Sequence, residues 1–108
     1  MSETPIETTP QATHAGLEAG GVFLLDCREA DELATASIAG AAHIPMGEVP
    51  SRLGELPNDR PVVVTCHHGM RSLRLTHFLR ANGFPNAQSM AGGIDAWSTE
   101  VDGSVPRY

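Results

Sequence analysis

The chain has no lysine. All seven of its basic residues are arginine, against 13 acidic ones, for a formal charge of −6. Schiff-base chemistry on a lysine amine is therefore excluded, and any anion must be met by guanidinium, imidazole or backbone N–H groups. The acidic balance argues against nucleic acid and anionic membranes as partners. Cysteine is scarce as well: Cys27 and Cys66 are the only two, too few for the disulfide framework of a small secreted domain. No apolar run approaches the length needed to span a bilayer. The opening stretch MSETPIETTP has neither a basic n-region nor an apolar h-region and does not read as a signal peptide. A cytoplasmic, soluble chain is the expectation. No metal site is expected, because no second cysteine lies at ligand spacing.

What is present alternates between strand and helix signals. The length of 108 residues suits one small domain, read here as a core over about 5–100 with a tail over 101–108. Ile6 anchors a short edge strand in the otherwise polar stretch from Met1 to Glu7. Thr9 followed by Pro10 predicts a helix start, and Gly20-Gly21 its end. Val22 to Asp26 reads as a buried parallel strand. A short polar helix follows over Arg28–Thr35 with Leu33 inward, then a third strand at Ala42–Ile44. Val49-Pro50 opens another short helix with Leu53 and Leu56 inward. Val62 to Thr65 is the central strand, and a helix from Ser72 buries Leu75, Phe78 and Leu79. Ala87 to Met90 is the last strand, and Gly92-Gly93 turns into a helix carrying Trp97 as core. The fold class is α/β: a mostly parallel sheet of about five strands with helices on both faces.

The chemistry concentrates at Cys66. A strand delivers this thiol to the loop His67-His68-Gly69-Met70-Arg71, and Ser72 then opens a helix. In open parallel sheets, sites form outside the carboxyl ends of the strands, beside helix N-termini. Inward N–H groups and the helix's positive end favour thiolate over thiol. Gly69 allows the tight turn, and Ser72 is expected to cap the helix and donate into the loop. Arg71 is read either as orienting anionic donors or as a solvated charge at the cleft rim. His67 and His68 either tune the field and touch substrate, or merely supply loop N–H groups while their rings face solvent. Asp26 and Arg28 are read as supports that bridge a strand end to nearby loops, with Arg28 and Glu32 spaced to pair on a helix face. His77 falls on the exposed side of its helix.

The loop resembles the active-site loop of the rhodanese-like sulfurtransferases. Three further segments share the likeness in family order: Leu25-Asp26-Cys27-Arg28-Glu29, Ala36 through Pro45, and Met90 through Trp97 with its Gly-Gly-x-x-x-Trp pattern. The resemblance implies a single rhodanese-like domain that transfers sulfur. The Cys66 thiolate would take the outer sulfur of a donor such as thiosulfate. A persulfide forms, and a nucleophilic acceptor (cyanide in an assay, a cellular thiol or protein sulfur acceptor in the cell) removes the sulfur. Cys66 is then catalytic, and His67, His68, Gly69, Met70, Arg71 and Ser72 form the persulfide cradle. No cofactor is implied beyond the persulfide itself, and a monomer or weak dimer is expected.

Three positions depart from the family pattern. Ser37 stands where the family has histidine, Ala36 where it has glycine, and Cys27 where it usually has an aliphatic residue; Cys27 is read as core. Four residues separate Cys66 from Arg71, whereas related phosphatases and arsenate reductases use five, in a wider cradle for a tetrahedral oxyanion. The shorter loop favours sulfur over phosphate. A non-catalytic binding or regulatory domain of the same fold is the other alternative, weakened by the presence of Cys66.

Overall fold

A computed structural model describes residues 4–108. The part of the N-terminal polar stretch over 1–3 lies outside the described residues. Five strands form one sheet: β1 (Glu7–Thr8), β2 (Phe23–Asp26), β3 (Ala42–His43), β4 (Val62–Thr65) and β5 (Gln88–Met90). Their order is β1-β5-β4-β2-β3, and every pairing is parallel. Parallel neighbours require crossovers, supplied by α1 (Pro10–Ala19), α2 (Ala30–Thr35), the connection between β3 and β4, and α3 (Met70–Ala81); α4 (Gly93–Glu100) follows the last strand.

Strand β4 is central because it is apolar on both faces. All four of its residues are buried, and alternate ones enter different cores. Val62 and Val64 join Leu25, Leu75 and Leu79 on one side. Val63 joins Leu24, Met90, Ile94 and Trp97 on the other. The two cores are covered by α3 and by α4 respectively, with Leu17 of α1 added to the second. Helices thus lie on both faces, as expected for strands with apolar residues at every position.

Local signals set several boundaries. The Thr9 hydroxyl accepts from the Ala12 N–H at 3.0 Å, Pro10 opens α1, and Gly20 closes it at φ +71°. Trp97 is buried and His77 exposed. Four expectations need correction. The helix after the cysteine loop begins at Met70, two residues before Ser72, because Gly69 turns the chain at φ +109°. Ser72 therefore lies in the first turn and is not the N-cap. Helix α2 buries none of its residues, and Leu33 is only half-buried. What begins it is a reciprocal cap, in which the Glu29 N–H donates to Glu32 Oε1 at 3.1 Å. The helix expected from Val49-Pro50 starts earlier, as a 3-10 segment over Met46–Ser51 followed by a second over Leu53–Glu55; Pro50 lacks the N–H that an α-helix would use.

Candidate active site

The residue after β4 is Cys66, so its thiol sits at the carboxyl edge of the sheet. It is 1% exposed. Its Sγ accepts from the backbone N–H of Gly69 at 3.1 Å and of Ser72 at 3.3 Å. The Ser72 hydroxyl lies 3.4 Å from the same sulfur. That hydroxyl also donates to the Gly69 carbonyl at 3.1 Å and lies 2.8 Å from Ser89 Oγ. Burying Ser72 in the first turn thus lets one residue hold the loop from two atoms.

The loop faces its N–H groups inward because its carbonyls are engaged elsewhere. The first turn of α4 takes them: Ile94 N–H donates to the Cys66 carbonyl at 2.8 Å, and Asp95 N–H to that of His67 at 3.1 Å. Gly93 makes this contact possible. It adopts φ +60°, and a Cβ there would lie 2.5 Å from the His67 carbonyl oxygen. The Gly92-Gly93 pair read from sequence as a turn is thus the seat on which the cysteine loop rests.

Around the thiol, Cys66, His67, His68, Met70 and Arg71 line a pocket of about 170 Å³. A wider concavity of about 410 Å³ includes Leu33, Ser37, Asp102 and Val105. Neither cysteine lies in it, so the smaller pocket is where chemistry can occur. Met70 is 78% exposed at the rim. His67 does not point its ring into solvent: it stacks on His68 at 3.8 Å and on Tyr108 at 3.8 Å. His68 is exposed.

Arg71 is not free at the rim. Its two terminal nitrogens fork onto Glu32 at 2.7 and 2.9 Å, a bidentate pair that fixes the guanidinium plane. The Arg71 hydrogen bonds pull the Glu32 carboxyl down to about 2, against burial, with help from the Tyr108 hydroxyl. The expected ion pair between Arg28 and Glu32 is replaced. Arg28 is fully buried and meets Asp26 instead, at 2.7 Å through Nη2 and 3.0 Å through Nε. It also donates to the Ala36 carbonyl at 2.8 Å and to the Tyr108 hydroxyl at 2.7 Å. Burial works against its charge, but the Asp26 and Tyr108 contacts outweigh this and raise its pKa. Asp26 and Arg28 thus form a buried ion pair at the carboxyl end of β2.

Cys27 continues the β2 register that places Asp26 beside Thr65, so it neighbours Cys66 across the sheet. It is 1% exposed, and burial, the nearby Cys66 and Asp26 push its thiol up to about 12. Ser37, in place of the family's histidine, is exposed. An imidazole does reach this region from His43, whose Nε2 lies 2.6 Å from the Arg28 carbonyl. Sequence reasoning missed Glu32 and Tyr108 as site residues. The Glu29-x-x-Glu32 spacing signalled a capping carboxylate; nothing local signalled Tyr108.

Comparison with known proteins decides the family. The model for the rhodanese-like domain matches residues 9–100. The chain belongs to that family. It is 38% identical to a sulfurtransferase of Allochromatium vinosum over 71% of this chain and 72% of that one. It is 33% identical to the thiosulfate sulfurtransferase GlpE of Actinobacillus pleuropneumoniae, over 90% of each. Among solved structures, a rhodanese-related protein from Thermoplasma volcanium superposes with a TM-score of 0.80 at 30% identity, covering 90% of this chain and 94% of that one. The loop after β4 and the Gly-Gly turn beneath it are thus parts of a rhodanese-like sulfurtransferase fold. Among the described residues, no helix is long and apolar enough to cross a membrane.

Proposed function

We propose that Cys66 carries sulfane sulfur as a persulfide, taken from a small anionic donor such as thiosulfate and passed to a nucleophilic acceptor. The observation that carries this reading is the placement of Cys66 Sγ within 3.1 and 3.3 Å of two inward N–H groups at the start of α3. Such donors stabilise an anionic sulfur through oriented N–H dipoles at a helix N-terminus. In the first half-reaction the Cys66 thiolate attacks the outer sulfur of thiosulfate. The sulfur–sulfur bond of the donor breaks, and sulfite leaves with the electron pair. In the second, cyanide or a thiolate attacks the terminal sulfur of the persulfide, and the Cys66 thiolate is regenerated. The thiolate, the donor and the acceptor complete both steps, so no metal or organic cofactor enters this ping-pong scheme.

Arg71 supports the choice of an anionic donor. It lines the pocket beside Cys66, and the Glu32 fork holds it in one orientation. A guanidinium so held can meet an oxyanion without first losing its own freedom. The relative from Actinobacillus pleuropneumoniae named as a thiosulfate sulfurtransferase points to the same donor. A thiol or a protein sulfur acceptor would reach Cys66 through the same opening, past the exposed His68 and Met70.

Intact-mass measurement after incubation with thiosulfate tests the reading. The wild-type chain is expected to gain one sulfur, located on the Cys66 peptide, and to lose it to cyanide as thiocyanate. Cys66→Ser is expected to gain none. Turnover that survives in Cys66→Ser, or a wild-type chain that never acquires sulfur, would overturn the proposal.

A further inference from the structure

The last residue of the described chain touches one wall of the Cys66 pocket and the carboxylate that holds the guanidinium of another. The Tyr108 ring lies on the His67 ring at 3.8 Å and 4° from parallel. Its hydroxyl donates to Glu32 Oε2 at 2.8 Å and accepts from Arg28 Nη1 at 2.7 Å. Glu32 in turn holds Arg71. One phenol therefore backs His67 on one side of the pocket and, through a single carboxylate, Arg71 on the other.

The segment leading to Tyr108 is itself pinned. Val105 is buried, and the Ser98 hydroxyl of α4 donates to its carbonyl. Arg107 forks onto Asp95 in the first turn of α4, at 2.9 and 3.2 Å. The same turn of α4 holds the Cys66 and His67 carbonyls, so the tail and the cysteine loop share one platform. His67 Nε2 is buried and finds no partner among the described residues. Its ring serves here as a packing surface between Tyr108 and His68, and the stack keeps that wall upright. A phenol keeps its proton at neutral pH and so donates to Glu32, and burial raises the Tyr108 pKa further.

We infer that Tyr108 is a positioning and specificity-determining residue, which fixes the separation of His67 and Arg71 and so restricts the pocket to small anionic sulfur donors. The volume agrees. A pocket of about 170 Å³ holds thiosulfate whole, whereas the ring of an aryl thiosulfonate, which by itself fills a cavity of about 150 Å³, leaves little room for the sulfonyl group beside it. The hydroxyl and the ring have separable duties. The hydroxyl steadies Glu32 and thereby Arg71, which bears on donor charge. The ring braces His67, which bears on donor size.

This inference rests on the sulfur-transfer reading of Cys66, and the experiment keeps the two apart. Steady-state transfer to cyanide is measured for wild type, Tyr108→Phe and Tyr108→Ala with three donors: thiosulfate, methanethiosulfonate and benzenethiosulfonate. The last two carry the same charge and differ in size. Tyr108→Phe is expected to raise the thiosulfate KM about 3–10-fold with kcat within about twofold, because only the steadying of Arg71 is lost. Its preference for methane- over benzenethiosulfonate should stay that of wild type. Tyr108→Ala is expected to raise the thiosulfate KM as well, and to shift that size preference about tenfold toward the aryl donor. A uniform fall in kcat with all three donors would show a merely structural role and overturn the inference. So would KM values and donor ratios within about twofold of wild type in both variants. A second readout needs no turnover: the rate of Cys66 alkylation by iodoacetamide relative to N-phenylmaleimide. That ratio is expected to fall in Tyr108→Ala and to hold in Tyr108→Phe, and an unchanged ratio in both refutes the bracing role. Should wild type transfer no sulfur, the proposal for Cys66 fails, and the alkylation ratio still decides the role of Tyr108.

Discussion

Gly93→Ala is the sharpest perturbation of the site that leaves every site side chain in place. Gly93 sits at φ +60° at the start of α4, and an added Cβ would lie 2.5 Å from the His67 carbonyl oxygen and 2.7 Å from its carbon, with the Cys66 carbonyl oxygen closer still. All three are backbone atoms, so no side chain can rotate away. The left-handed conformation costs an L-residue about 1–2 kcal/mol. Relieving the overlap means moving the loop off α4, which stretches the bonds from Ile94 N–H and Asp95 N–H, worth about 1 kcal/mol each. The sum is about 3–4 kcal/mol, or a fall in Tm of roughly 12–30 °C for a domain of this size. In what remains folded, displacing the Cys66 cradle by the better part of an ångström should cost about 100-fold in sulfur transfer. Thermal unfolding by circular dichroism and a thiocyanate assay measure the two effects. Gly103→Ala is the control: its Cβ would meet open space, and a change within about 0.5 kcal/mol is expected. If Gly93→Ala matched that control in both assays, the seating of the loop on α4 would not be what holds the thiol in place.

Two further outcomes follow from the charges. The Glu32 carboxyl is lowered from 4.5 to about 2, chiefly by its Arg71 hydrogen bonds, so its contribution is present above pH 4.5 and is lost as pH falls toward 2. With the Arg71 side chain 39% exposed, that contribution is discounted to about 1–2 kcal/mol. Glu32→Gln should therefore be less stable than wild type at neutral pH, with the gap in Tm closing on acidification; a gap constant from pH 7 to 2 would refute the assignment. Cys27 runs the opposite way. Its thiol is raised from 9.0 to about 12, first by burial, so the stability it confers is present below pH 9 and lost as pH rises toward 12. Cys27→Val should flatten that alkaline loss. In a Cys66→Ser background at pH 8, Cys27 should resist iodoacetamide until the chain is denatured, and labelling at the rate of a free thiol would contradict its burial.

Much of the fold was legible because its determinants are close in sequence. Thr9, Pro10 and Gly20 mark the ends of α1 through contacts of four residues or fewer, and the run Val62–Thr65 can only be a strand buried on both faces. The carboxyl end of that strand then places Cys66 with no tertiary information. The start of α3 was misplaced because Ser72 looks like an N-cap, whereas Gly69 turns the chain in a conformation that side-chain chemistry does not signal. The partner of Arg71 was missed for a different reason. Glu32 is 39 residues away, and spacing four apart favoured Arg28 until burial committed Arg28 to Asp26.

The sequence by itself determined an α/β chain, its central strand, and one thiol raised on a loop at that strand's end. These follow from period, capping and turn chemistry, all short-ranged along the chain. Only the tertiary structure decided what surrounds the thiol. It seats the loop carbonyls on α4 and locks Arg71 to Glu32. It also brings Tyr108, 76 residues from Glu32, onto that carboxylate. The physical reason is that a carboxylate or a ring has no preferred partner until packing removes water from one side of it. Which arginine Glu32 holds, and what stands against His67, are settled by that packing.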